Sequence, residues 1–428
     1  MYQIENSGQV LRARQEGRRR GLSWPRVSQT VLLLGLTSMF TDISAEMVST
    51  ILPMYLVLSL QLSPLAFGVI DGLYLGAAAI VRLISGVLAD RSHRHKHVAV
   101  AGYALSALSR LGMLVVGGVW TLLATVVLVD RLGKGIRTAP RDAMISLTTE
   151  PGRLGTAFGV HRAMDTAGAM IGPLLAFLIL AVAPGAYDAI FLVSLCAAIV
   201  GLAILGLFVE NPRARPPAGS APEETSRPSM RLALARARDA RFGAVLVVGT
   251  VLSLATMSDG FLYLTLQRQV SFNAGFFPLL YVATAVIFML LAIPMGQLAD
   301  RFGRGRVFVG GYVLLLAVYG VLLAPWHGAV QVGLALLLLG ASYAATDGVL
   351  MALAGGVLPE HLRASGMALL TTLTNVARLL SSILFGMLWT WQGLTVAIWI
   401  FAGLLLLAVV LALRLLHPTA QPGGANAA

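Results

Sequence analysis

Twelve stretches of mostly apolar residues follow one another along the chain, at 29-59, 65-89, 98-117, 120-149, 155-183, 188-209, 243-267, 276-299, 307-324, 329-358, 364-390 and 394-413. A helix needs about 20 such residues to cross a hydrocarbon core about 30 Å thick. Only helices and closed barrels satisfy their backbone polar groups there. The pattern predicts an all-α membrane protein with twelve transmembrane helices. Composition agrees, since 57% of the 428 residues are hydrophobic and 12% are charged, far from the balance of a soluble domain. The first stretch follows Arg18, Arg19 and Arg20 in the manner of a secretion signal. It is read as a retained span, because Asp42 and Glu46 interrupt it and eleven more spans follow.

The lysines and arginines sort by topology. With both termini placed in the cytoplasm, 22 of the 31 fall in cytoplasmic segments, Arg268 lies outside and eight lie within spans. This asymmetry predicts a multi-pass protein of the plasma (bacterial inner) membrane with both termini cytoplasmic. The spans hold eight acids against eight bases, so the net charge of +12 belongs to the cytoplasmic face. There it reads as topology and contact with anionic lipid, not as a nucleic-acid surface. The lone Cys196 excludes a disulfide framework and a cysteine-built zinc site. In His93-Arg94-His95-Lys96-His97 the cations oppose metal binding, so neither a metal nor a cofactor is expected.

Residues 210-242 contain Pro212, Pro216, Pro217, Pro222 and Pro228 and cannot cross a bilayer. They divide the chain into a basic tail (1-28), a six-helix bundle (29-209), this cytoplasmic linker, a second six-helix bundle (243-414) and a short tail (415-428). At an offset of 210 the halves align: Gly86, Leu88, Ala89, Asp90, Arg91 and Arg94 match Gly296, Leu298, Ala299, Asp300, Arg301 and Arg304. The chain therefore reads as an internal duplication, with a site expected between the bundles near the midplane.

The stretch Gly296 to Arg306, Gly-Gln-Leu-Ala-Asp-Arg-Phe-Gly-Arg-Gly-Arg, resembles the cytoplasmic signature of the major facilitator superfamily, and the resemblance extends over all twelve spans. The first copy departs from it by carrying His93 where the family has glycine. The resemblance implies the family's two-bundle fold and a cytoplasmic gate formed by Gly86, Asp90, Arg91, Arg94, Gly296, Asp300, Arg301 and Arg304. Arg131 with Gly135 fits the family's Arg-x-x-x-Gly pattern, whose arginine is linked to proton movement. Gly159, Gly168, Gly172 and Pro173 fit the fifth-span pattern of its antiporters, although Ala176 and Phe177 replace the closing glycine pair. Physically, Gly168 and Gly172 share a helix face and allow close approach of a neighbour. Pro173 removes a backbone donor and permits a bend.

Ionisable groups at membrane depth cost at least ~2.5 kcal/mol each and usually face partners or a water-filled path. Asp42 and Glu46 lie four residues apart on one face of the first span, and two carboxylates that close disfavour joint ionisation. They are the expected proton-coupling pair, with Arg131 as the cation that competes with the proton. The fourth span carries Asp130, Arg131, Lys134, Arg137, Arg141 and Asp142 on one face, which the fifth continues with His161, Arg162 and Asp165. Asp71, Lys134, His161, Arg162, Asp165 and Asp259 are the expected polar lining of the cavity, and Tyr74, Tyr263, Tyr281, Phe276 and Phe277 its aromatic candidates. The second half offers only Asp259, Asp347 and Arg378 within its spans.

No nucleophile and base and no metal set suggests an enzyme. The expected activity is proton-coupled antiport of a small organic solute by alternating access, with the protein acting as a monomer and its partners being lipid, protons and the solute. Proton symport of a nutrient, organic anion or metal chelate stays open on the same fold. The cations of the fourth span lean toward an anionic or zwitterionic solute.

Overall fold

A computed structural model describes residues 27–92, 95–149, 154–211, 239–326, 328–358 and 363–416. The described chain is helical: α1 (Gln29–Met54), α2 (Pro64–Ser92), α3 (His95–Val115), α4 (Trp120–Leu147), α5 (Leu154–Val182), α6 (Tyr187–Phe208), α7 (Ala240–Leu254), α8 (Asp259–Val270), α9 (Phe277–Phe302), α10 (Arg304–Leu323), α11 (Ala329–Val357), α12 (Arg363–Gln392) and α13 (Leu394–Leu415). Pro53 interrupts the hydrogen-bond ladder of α1, and the chain continues as a π-helical turn over Tyr55–Ser59. The proline-rich residues 212-238 of the expected linker lie outside the described residues.

Within the first half, α1 packs on α5 and α6, and α4 packs on α2 and α3; within the second, α11 packs on α9 and α10, and α12 on α7 and α13. The halves meet through α2 with α12, α5 with α9, and α1 with α8 and α9. Very close approach at the first of these contacts requires glycine. A Cβ on Gly68 would stand 2.6 Å from the Ser382 carbonyl oxygen, and one on Gly72 would stand 2.7 Å from that of Leu379. Leu65 N also donates to Thr390 Oγ1 at 3.0 Å. These contacts use the start of α2 and the end of α12, and so lie away from the Arg-rich connections. That end is called the far end here and the opposite one the basic end. Phe177 and Phe276 stack at 5.9 Å and add to the far-end closure.

The sequence pattern predicts one continuous seventh span, whereas the structure divides it into α7 and α8 at Ala255–Ser258. Neither proline nor glycine causes the break. Side chains of other helices satisfy the freed backbone groups instead: Met257 N donates to Tyr319 Oη at 2.7 Å, and Ser381 Oγ donates to the Thr256 carbonyl at 2.5 Å. Broken helices are tolerated at membrane depth when neighbours supply such partners. Tyr319→Phe is therefore expected to destabilise the protein by about 1 to 2 kcal/mol, as a buried N–H is left unpaired. Thermal unfolding in detergent of the variant beside wild type measures this.

Large apolar side chains cover the outside of the bundle, among them Leu207, Ile293 and Leu407, which are 77%, 72% and 68% exposed. On a helix bundle this size such a surface needs an apolar solvent.

Candidate functional site

A cavity of about 470 Å³ lies between the halves, lined by residues of α1, α2, α5, α8, α9, α11 and α12. The break after α7 shapes it, because Asp259 is the first residue of α8 and Ser258 is its N-cap. Four carboxylates line it, Glu46, Asp71, Asp259 and Asp347, together with one cation, Arg378. Three of the four receive hydrogen bonds from neutral hydroxyls. Ser49 Oγ donates to Glu46 Oε2 at 2.7 Å, Ser382 Oγ donates to Asp71 Oδ2 at 2.6 Å, and Tyr343 Oη donates to Asp259 Oδ1. The Asp71–Ser382 bond joins the two halves. Of the aromatic candidates, Tyr74, Tyr263 and Tyr281 line the cavity, along with Phe67 and Phe288, and the Tyr263 and Tyr281 rings stand edge to face at 4.6 Å. Phe277 packs behind this pair, whereas Phe276 is half-exposed against Phe177.

A second polar region is buried inside the first half. Asp130 bridges two arginines: Arg110 Nη2 lies 3.0 Å from its Oδ1, and Arg131 pairs with its Oδ2. All three side chains are almost fully buried. Arg110 also donates to Ser44 Oγ at 3.2 Å, and Ser44 and Ser194 bond at 2.9 Å, which ties α3 and α4 to α1 and α6. Nearer the basic end, Arg137 approaches Asp42 at 3.8 Å and lies over the Tyr103 ring at 4.7 Å. Arg141 donates to Ser38 Oγ at 2.8 Å and pairs with Asp142 at 3.0 Å.

These positions revise the expected site. Glu46 lines the cavity, but Asp42, one turn nearer the basic end, faces Arg137 and is not among the lining residues. The two carboxylates share a helix face and the neighbouring Lys134, but Asp42 approaches Arg137 while Glu46 receives a hydrogen bond from Ser49. Arg131 pairs with Asp130, its chain neighbour, rather than with Glu46 or Asp42. It reaches the cavity through Tyr74, over whose ring it lies at 3.8 Å. Of the expected polar lining, Asp71 and Asp259 are in place. Lys134 of α4 and His161, Arg162 and Asp165 of α5 are not among the lining residues. Lys134 sits among Arg131, Arg137, Asp42 and Glu46. Asp165 lies 3.7 Å from His161 and 3.9 Å from both Arg141 and Arg162, with Arg162 itself largely exposed.

The expected gate is described in part. Arg94 lies outside the described residues, and Gly86, Asp90 and Arg91 fall in the last turns of α2. In the second copy, Asp300 and Arg304 pair at 3.2 Å across one helical turn and are exposed, Arg304 donates to the Ala352 carbonyl at 3.0 Å, and Arg301 lies over Phe302. These partners all belong to the second half. Gly296 faces open space. Gly303 has φ +101°, a conformation that side chains rarely adopt. It aligns with His93, the departure from the signature in the first copy.

In the fifth-span motif, a Cβ on Gly168 would stand 2.4 Å from the Met39 carbonyl oxygen, and one on Gly172 would stand 2.8 Å from that of Ile43 and 2.9 Å from Glu46 Cβ. α5 thus rests directly on the turn of α1 that carries Glu46. Pro173 lines the cavity, whereas Gly159 is exposed with open space beside it. Gly135 packs α4 on α2, since a Cβ there would meet the Ala78 carbonyl at 2.8 Å.

Sequence reasoning gave no role to Asp130 and Arg110 and missed the hydroxyls of Ser49, Ser382 and Tyr343. Asp130 and Arg110 carried a signal, as buried charges of opposite sign. The hydroxyls carried none, since Ser and Tyr are ordinary in spans.

Comparison with known proteins places this architecture. Residues 34–292 and 245–428 match the sequence profile of the Major Facilitator Superfamily. An uncharacterized MFS-type transporter of Methanocaldococcus jannaschii is 30% identical over 372 residues, covering 85% of this chain and 89% of the relative. An uncharacterized protein of Mycobacterium tuberculosis is 28% identical over 387 residues, covering 90% and 93%. Among solved structures, a variant of the nucleoside transporter NupG superposes with a TM-score of 0.76 at 15% identity, covering 91% of this chain and 100% of that one. A bacterial homolog of the human lysosomal transporter Spinster, in an inward-facing and unoccupied conformation, gives a TM-score of 0.72 at 14% identity, covering 92% and 97%. With the profile spanning both halves and the two-bundle helical fold in place, the chain belongs to the major facilitator superfamily and is a membrane transporter.

Proposed function

We propose that this transporter is a proton-coupled antiporter that exports a small organic solute from the cytoplasm across the plasma membrane by alternating access. The observation that carries the reading is Glu46, a carboxylate in the central cavity that is held by a serine hydroxyl and ion-paired to no lysine or arginine among the described residues. A carboxylate so placed is free to exchange a proton as the cavity changes exposure. The contact of Gly168 and Gly172 with α1 supports coupling, because a shift of α5 must move the turn that holds Glu46. The far-end contacts between the halves support a state closed at that end, with the basic end cytoplasmic. Asp42, beside Arg137, is a second proton site on the path from the cavity to that end.

Purified protein in liposomes with an imposed pH gradient tests the reading against a panel of organic cations, anions and neutral compounds. Antiport moves the solute toward the acidic compartment. Accumulation in the alkaline compartment instead identifies symport and overturns the proposed direction.

A further inference from the structure

We infer that the transported solute is an organic cation whose positive charge sits between Asp71 and Asp259, an assignment that rests on the transporter reading above. The cavity's charge balance is the first reason. Four carboxylates face one guanidinium, Arg378, and Arg378 has two of those carboxylates, Asp347 and Asp259, among its charged neighbours. Neutral hydroxyls orient Asp71 and Asp259 without cancelling their charge, whereas Glu46 also has Arg131 and Lys134 among its charged neighbours. Carboxylates held in this way at low dielectric favour a cation in the cavity and reject an anion.

Geometry singles out Asp71 and Asp259. They come from opposite halves and approach at the break before α8, where Asp71 Oδ1 is 3.4 Å from the position of a Cβ on Gly260, the residue after Asp259. Ser258 lines the cavity and is only 9% exposed. Its Oγ lies within reach of the Asp71 carboxylate. A positive charge is attracted by both carboxylates, and any N–H groups near it, such as the exocyclic amines of ethidium, can donate to them and to the Ser258 oxygen. The ring faces of the cavity suit the remainder of such a molecule. The Tyr74 ring already carries Arg131, and the Tyr263–Tyr281 pair and Phe288, which also line the cavity, can receive an apolar or aromatic body by stacking and cation–π contact. Of the α4 cations that suggested an anionic solute, Arg137 and Arg141 face Asp42, Tyr103 and Asp142 inside the first half, and Arg131 and Lys134 adjoin Glu46 at the cavity's edge on that side.

Ethidium, carboxyfluorescein and uridine serve as cationic, anionic and neutral probes, with tetraphenylphosphonium as a second cation, and binding is measured on purified full-length protein. The expected result is saturable ethidium binding that tetraphenylphosphonium displaces and the other two do not. Asp71→Asn and Asp259→Asn should each weaken it at least tenfold, and Ser258→Ala a few-fold, while Asp259→Glu retains binding within a few-fold. Each variant is matched to wild type by gel filtration and thermal unfolding, and the displacement pattern of the wild type tests the assignment without any variant. Absence of saturable binding for both cations, displacement by carboxyfluorescein or uridine, or unchanged ethidium affinity in both Asp→Asn variants overturns the assignment. If a pH gradient drives uridine or carboxyfluorescein across liposomes and leaves ethidium behind, the transporter reading stands and only the solute class falls. If ethidium binds as described but no gradient moves it, the solute class stands and the coupling falls.

Discussion

Glu46→Gln is expected to abolish pH-gradient-driven transport in liposomes, down to the level of protein-free vesicles, while the protein still inserts and still exchanges solute for solute. The side chain keeps its size and its contact with Ser49 Oγ, which lies 2.7 Å from Glu46 Oε2, so the loss isolates the exchangeable proton from the packing. Without that proton, the cavity's charge no longer changes between its two exposures, and the gradient has nothing to act on. Asp42→Asn provides the comparison. Asp42 lies outside the cavity and 3.8 Å from Arg137, so its loss is expected to slow gradient-driven flux without removing it. Flux at the wild-type level in both variants would eliminate the proposed coupling site.

Asp130→Ala should have the largest effect on stability. The carboxylate is the partner of both Arg110 and Arg131, and the side chains concerned are 3% to 4% exposed. Its removal strands two guanidinium groups among α1, α3 and α4, and breaking a buried pair by deleting one partner costs about 3 to 5 kcal/mol. For a helical unit of this size the cost corresponds to a fall in Tm on the order of 10 °C, readable by thermal unfolding in detergent. Removing Arg110 in the same protein should recover part of the loss, since one stranded charge then disappears and Arg131 keeps the Tyr74 ring beneath it. A Tm within a degree or two of wild type would mean that the arginines find other partners and that Asp130 is not what holds this cluster together.

What could be read from residue order follows from the bilayer as a solvent. The lengths of the apolar stretches, the crowding of arginine between them and the repeated Gly-x-Leu-Ala-Asp-Arg at an offset of 210 determine span number, internal duplication and family, because each depends on local composition and spacing alone. The same reasoning identifies Glu46, Asp71 and Asp259 as residues that need a reason to be at membrane depth. It could not say which way a charged helix face turns. α4 is amphipathic in sequence, and only the packing of α1, α2 and α3 around it decided that Arg131 and Arg137 meet Asp130, Asp42 and Tyr103 inside one half and do not line the cavity between the halves. Nor does Ala-Thr-Met-Ser at 255–258 mark a helix break. The break exists because Tyr319 and Ser381, 62 and 125 residues away from their backbone partners, take up the freed hydrogen bonds. Period and hydrophobicity are properties of neighbouring residues, whereas cavity charge and helix interruption depend on which distant side chains arrive, and those are fixed only when the helices pack.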